Sequence, residues 1–192
     1  MFCSDGNVSR FTSEGERSGM KLKGKRIVVL VADGFEDLEY WVTVMRLREE
    51  GAEVISVGPG EGPFSGKNFL EARADATAND VSADDLDGIV IPGGWAPDKL
   101  RRYREVTNLV RAVHERGKVI GIICHGGLVA ISAGIVRGVN ATGSLGIKDD
   151  LVNAGATWVD KPAFREGNLV WGRVVPDLPS FCRELVGALA EG

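Results

Sequence analysis

The strongest constraint on what this chain can fold into is an alternation. Short, almost uninterrupted apolar runs take turns with segments whose apolar residues recur at helical spacing. The runs "RIVVLVA" (26–32), "AEVISVG" (52–58), "DGIVIPGG" (87–94), "VIGIIC" (119–124) and "NLVWGR" (168–173) read as strands. Between them, Leu38, Trp41, Val42 and Met45 mark the inward stripe of a helix that ends near Gly51. Val106, Leu109, Val110 and Val113 mark another, stopped by Gly117, and Leu178, Phe181, Cys182, Leu185 and Leu189 line a closing helix. Strands apolar on both faces must be covered on both, and the intervening helices are what covers them. The expected fold is therefore α/β, with a doubly wound, mostly parallel sheet sandwiched by helices in the flavodoxin-like manner.

No internal repeat or linker interrupts 25–192, which reads as one domain of a size that buries a substantial core. Residues 1–24, "MFCSDGNVSRFTSEGERSGMKLKG", are polar and lack the apolar stretch of a secretory leader, so they read as a flexible tail. No apolar run is longer than six residues, and acids and bases are mixed along a chain of net charge −4. Neither a membrane nor a nucleic acid is an expected partner. Three widely spaced cysteines, Cys3, Cys124 and Cys182, form no CxxC pair, which argues against a disulfide framework and against a zinc site. No metal or cofactor is expected, and a reducing cytoplasm is the natural compartment. The stretch "GPGEGPFSGKN" fails as a phosphate loop, because Asn68 follows Lys67 where Ser or Thr is needed, and it reads as a plain loop.

In a doubly wound sheet, ligands sit at the carboxyl ends of the strands. Three chemically rich stretches fall there: 33–39, 92–98 and 124–127. A strand that turns straight into a helix throws its turn residue into a strained position above the sheet, and nearby glycines relieve the crowding. In "GIICHGG" that residue is Cys124, with Gly121 before it and Gly126 and Gly127 after it. Helix amides opening at His125 favour thiolate, so a thiol pKa below the free value is expected. Cys124 thus reads as a nucleophile, whereas Cys182 reads as a small apolar residue of its helix stripe. Adjacent side chains diverge, so His125 needs an orienting group from elsewhere. Glu36 and Glu39 stand one helical turn apart at the start of the first helix. They serve either as proton-transfer acids or as ordinary acids complementing the helix dipole. Trp95 is expected at the mouth of the pocket, His114 on a solvated surface, and Arg173 in a salt bridge rather than on a substrate anion.

Together, "VADGFEDLEYW", "LDGIVIPGGWAPDKLR", "IGIICHGG", "GIKDDLVNAGATWVD" and "GRVVPDLPSFCREL" resemble the PfpI family. This is the intracellular cysteine peptidase and deglycase branch of the class I glutamine amidotransferase-like superfamily, and the likeness spans roughly residues 25–190. The resemblance implies that Cys124 is the nucleophile, His125 its partner and Glu39 the acid bonded to the cysteine, with Glu36 near the same pocket. It implies an oxyanion hole from the amides of Gly94 and His125, beside Gly93 and Trp95. It also implies that an acid from a neighbouring subunit, at the position of Asp98, orients the histidine, which requires a homodimer or a higher homo-oligomer. The sequence departs from the family pattern at Gly127, usually proline, at Ser144, often tyrosine, and at Asp98, a methylene shorter than glutamate. The implied activity is thiolate attack on a carbonyl, in a small α-oxoaldehyde or its protein adduct or in a peptide. The alternative is a stress-response or redox-sensor protein in which Cys124 is oxidised stoichiometrically.

Overall fold

The structure, a computed structural model, describes residues 19–192. The first half of the chain contributes β1 (Arg26–Leu30), α1 (Asp37–Glu49), β2 (Glu53–Gly58), the small hairpin β3 (Phe64–Ser65) and β4 (Glu71–Ala72), β5 (Ala76–Thr77), β6 (Gly88–Ile91), α2 (Ala96–Leu100) and α3 (Arg104–Glu115). The second half contributes β7 (Val119–Ile123), α4 (Gly127–Ala133), β8 (Asn140–Ala141), α5 (Lys148–Asn153), β9 (Thr157–Trp158), β10 (Ala163–Glu166), β11 (Leu169–Gly172) and α6 (Leu178–Glu191).

Seven strands form the central sheet in the order β10-β11-β7-β6-β1-β2-β5, and only the β10–β11 pair is antiparallel. The fold class read from the sequence is the one the chain adopts. Strands β6, β7 and β11 are buried along their whole length, as is β1 beyond Arg26. Helix α1 packs on α6, while α4 packs on α2, α3 and α5, so two groups of helices cover the sheet. Each fully buried Val, Ile or Leu side chain of these strands contributes about 1.5–3 kcal/mol. Among the described residues, no helix is long and apolar enough to cross a membrane.

Two sequence expectations need correction. Leu22 is fully buried and its N–H donates to Glu50 O at 2.8 Å, so the folded unit begins before residue 25. Residues 1–18 of the expected tail, with Cys3, lie outside the described residues. The second correction concerns α1, whose expected inward stripe faces out, with Leu38, Val42 and Met45 exposed. The buried face is instead Asp37, Glu39, Tyr40, Thr43, Val44 and Leu47. Polar partners make this orientation affordable: Tyr40 Oη shares a 2.6 Å hydrogen bond with Ser56 Oγ, and the Asp37 carboxylate accepts from Asn68 N and Leu70 N at 2.8 Å each.

Candidate active site

Strand β1 lies between β2 and β6, so the chain leaves it in opposite directions on its two sides and opens a crevice at the carboxyl ends. The loops there are fastened together: Glu36 N donates to Gly93 O at 3.1 Å, and Trp95 N donates to Gly34 O at 2.6 Å. A cavity of about 280 Å³ results. Cys124, His125, Glu36, Glu39, Gly94 and Trp95 all line it, as the sequence suggested, and so do Lys67 and Ser144. Val174 and Val175 form an apolar wall.

Cys124 has φ +58°, in the left-handed region that costs a non-glycine residue about 1–3 kcal/mol. A single 3₁₀ turn over Cys124–Gly126 separates β7 from α4. Its crowding demands glycine at 126, where a Cβ would stand 2.2 Å from Ile91 O. Gly121 serves a different purpose, since a Cβ there would meet Leu185 and Phe181 of α6. The turn also brings Cys124 Sγ within 3.3 Å of His125 Nδ1, so the two adjacent side chains meet rather than diverge. Burial, assisted by the charge of Lys67, lowers the His125 pKa and favours the neutral ring.

Glu39 is fully buried, and its Oε2 accepts the Gly93 N–H at 2.7 Å. Its other oxygen, Oε1, makes no hydrogen bond of normal geometry, yet the thiol is close enough to be felt in the titration of both groups. Burial pushes the Glu39 carboxyl up to about 7, against the pull of the Gly93 N–H and Cys124. Burial also pushes the Cys124 thiol up to about 12, and the charge of Glu39 adds to it, while the N–H groups of His125 and Gly94 oppose. The expected low thiol pKa is therefore overturned: burial first, and the carboxylate beside the sulfur second, outweigh the amides. The two groups titrate as a pair that releases its first proton at about 7 and keeps the second well above neutrality. When that proton sits on Glu39, the sulfur is a thiolate facing the two amides. Glu36 has a separate task as N-cap of α1, where its Oε2 accepts from Leu38 N and Glu39 N at 2.9 Å each.

Asp98 does not line this cavity. It sits in the first turn of α2, largely exposed, and forms an ion pair with Arg102. Lys67 is the residue that sequence reading missed, because its segment looked like a plain loop. The loop is strapped to the site by Lys67 N to Phe35 O at 2.9 Å, Gly34 N to Ser65 O at 2.7 Å, and the two amides held by Asp37. The only forewarning was the pair Asp33 and Asp37, acids near a strand end that need donors; Asp33 Oδ1 takes Ser65 N at 3.0 Å. Trp95 stands exposed at the mouth. His114 is half-buried with Nδ1 lacking a partner, not solvated as expected. Arg173 pairs with Asp160 and Asp177 in the expected salt-bridge role. It borders a second cleft of about 390 Å³ that shares Ser144 and Val174 with the first and is lined by Leu145 and Trp158.

The model of the DJ-1/PfpI family matches residues 25–188. The chain belongs to the DJ-1/PfpI family. It is 37% identical to the deglycase PfpI of Pyrococcus furiosus over 164 residues, covering 85% of this chain and 99% of that protein. It is also 37% identical to the putative cysteine protease YraA of Bacillus subtilis, covering 86% and 98% of the two chains. The crystal structure of Drosophila melanogaster DJ-1beta superposes with a TM-score of 0.81 at 26% identity, covering 88% of this chain and 91% of that one.

Proposed function

We propose that this DJ-1/PfpI chain is a thiol-dependent enzyme of the glyoxalase or deglycase type, acting on small α-oxoaldehydes or their adducts through Cys124. The observation that carries the reading is the buried Glu39 carboxyl, raised to about 7, beside the sulfur of a strained turn. Relatives named as deglycases support it. The Cys124 thiolate adds to the aldehyde carbon, and the carbonyl π pair moves to oxygen. That oxygen is stabilised by the amides of Gly94 and His125 and takes the Glu39 proton, giving a hemithioacetal. The Glu39 carboxylate then removes the proton from the sulfur-bearing carbon, giving an enediol, and returns it to the neighbouring carbon, while the hydroxyl proton of the sulfur-bearing carbon passes to the neighbouring oxygen, leaving a 2-hydroxy thioester. Water cleaves that thioester, its hydroxyl going to the acyl carbon and its proton to the sulfur, which releases a hydroxy acid and returns the Cys124–Glu39 pair to its one-proton state. An aminocarbinol or hemithioacetal adduct enters the same sequence when the protein side chain, taking a proton, leaves as the C–S bond forms. The adjoining cleft beside Trp158 offers room for that leaving side chain. Asp98 of a second copy completes the orientation of His125 in this scheme, and a reducing compartment keeps the thiol free.

A peptidase reading draws on the 3.3 Å contact between Cys124 Sγ and His125 Nδ1, which makes the histidine a base for the thiol, and on the relative named as a putative cysteine protease. Methylglyoxal consumption by purified protein, beside Cys124→Ser and His125→Ala, separates the two. Turnover lost in Cys124→Ser and lowered only about tenfold in His125→Ala is expected. Peptide cleavage without methylglyoxal turnover would overturn the carbonyl reading.

A further inference from the structure

We infer that Glu36 is a second proton carrier, moving a proton between the two substrate oxygens while Glu39 moves one between the two carbons. The inference rests on the reading that Cys124 attacks a carbonyl, and it adds a catalytic residue to it. Once the C–S bond has formed, that isomerisation moves two protons. One leaves the sulfur-bearing carbon for its neighbour; the other leaves the hydroxyl on that carbon for the neighbouring oxygen. Glu39 is placed for the first transfer. Its Oε2 is held by the Gly93 N–H at 2.7 Å, and its partnerless Oε1 is sealed in beside the sulfur. The second transfer needs a base that reaches oxygen.

Glu36 is only 5% exposed and lines the same cavity. Its Oε2 is spent on Leu38 N and Glu39 N, at 2.9 Å each, which fixes the carboxylate. Its Oε1 has no hydrogen-bond partner among the described residues, yet it is not sealed off as Glu39 Oε1 is. In a residue so buried, that atom is reached through the cavity it lines. The backbone sets Glu36 against the oxyanion site: Glu36 N donates to Gly93 O at 3.1 Å, and a Cβ on Gly94 would stand 2.4 Å from Glu36 N. Other polar groups of the cavity are engaged. His125 Nδ1 faces the sulfur at 3.3 Å, and Ser144 Oγ accepts from Gly146 N at 3.3 Å. Lys67, an ammonium, has no lone pair to receive a proton. Glu36 Oε1 takes the proton of the hydroxyl and gives it to the neighbouring oxygen, left negative when the carbon lost its proton. The electron pair left on the first oxygen forms the thioester carbonyl as the enediol π pair takes the Glu39 proton at the neighbouring carbon. The Glu36 carboxylate is restored, and no oxidant or reductant enters.

Glu36→Gln keeps an oxygen for the two helix amides but carries no transferable proton. Methylglyoxal in heavy water reads the two transfers separately. Deuterium replacing the aldehyde hydrogen of recovered substrate reports the carbon proton alone, whereas hydroxy acid reports both. The Glu36 charge also raises Glu39, so rates are compared on the plateau of each pH profile. There the variant is expected to form hydroxy acid about 10²-fold more slowly, with exchange per product formed rising about tenfold or more. Iodoacetamide alkylation of Cys124 and the urea midpoint should stay at their native values. Unchanged turnover overturns the assignment. An equal fall in exchange and product, slower alkylation or a lowered midpoint also overturns it, because Glu36 then only supports Glu39, the thiolate or the helix. Native protein that yields neither exchange nor hydroxy acid would remove the carbonyl-attack reading itself, a failure distinct from that of Glu36.

Discussion

The Gly93 N–H reaches Glu39 Oε2 at 2.7 Å, and the missing side chain of Gly93 is what lets that carboxyl stand beside Cys124. A Cβ at 93 would lie 2.7 Å from both Glu39 Oε2 and Cys124 Cβ, and 2.8 Å from His125 N. None of these atoms is the free end of a flexible surface side chain. Gly93→Ala is expected to cost about 1–3 kcal/mol by overpacking, measured by urea unfolding. Displacement of the acid by a fraction of an ångström to an ångström should lower turnover up to about 10²-fold. Wild-type turnover in this variant would show that the acid and the sulfur need not touch.

The shared proton of Glu39 and Cys124 sets how the thiol reacts with pH. Below about 7 both groups are protonated; above it one proton remains, and the thiolate with protonated Glu39 becomes accessible. Iodoacetamide alkylation of Cys124 is therefore expected to rise through about 7 and reach a shoulder, with a further rise only towards 12. Cys182, buried in α6 with its thiol raised by burial, should react far more slowly. A single inflection near the free-thiol value of about 8.5 would exclude coupling to the acid.

The sheet was legible because β1, β6, β7 and β11 are buried on both faces, and an apolar run of that kind has few other fates. The site was legible for a related reason: Cys124, Gly93 and Glu39 follow strands whose carboxyl ends must meet at the switch point. The contact between Cys124 and His125 was not, because it depends on one left-handed φ that no spacing rule announces. Lys67 was hidden because its position is set by backbone hydrogen bonds to Phe35 and Asp37, thirty residues away. The antiparallel edge β10, with three partly buried residues and an exposed Arg165, gave no apolar run to read.

Helix α1 shows where periodicity misleads, and its two faces can be told apart by experiment. Leu47 is fully buried, whereas Met45 is 62% exposed although it belongs to the more obvious apolar stripe. Leu47→Ala is expected to cost about 2–5 kcal/mol, and Met45→Ala to stay within about 0.5 kcal/mol in the isolated subunit. Paired denaturation curves measure both. Equal losses would mean that the helix is rotated from its described orientation.

The exposed Asp98 gives a test of assembly. It pairs with Arg102 and not with the histidine of its own cavity, so any influence on His125 has to come from a second copy. Light scattering at working concentration is expected to return a dimer or larger species. Asp98→Asn should lower turnover by about tenfold, the value of one charge-assisted hydrogen bond. An active monomer, or full activity in Asp98→Asn, removes the intersubunit role.

The decisive substitution is Glu39→Gln, which keeps the shape and the acceptor for Gly93 but removes the transferable proton. Turnover of methylglyoxal is expected to fall by about 10²–10⁴-fold with the fold intact. Stability supplies an independent readout whose sign follows from the raised carboxyl. Between 4.5, its ordinary value, and about 7, the folded chain holds this proton while the unfolded chain releases it. Folding is therefore progressively penalised as pH rises through that window, by up to about 3 kcal/mol from this group, and the penalty is absent below 4.5. Urea midpoints taken between pH 4.5 and 8 should show that loss in the native protein and a flatter profile in Glu39→Gln. Identical profiles would place the neutral-range proton elsewhere. If the variant also kept full methylglyoxal turnover while His125→Ala lost it, the acid–base role would pass to the histidine, and a cysteine–histidine mechanism would replace the one built on Glu39.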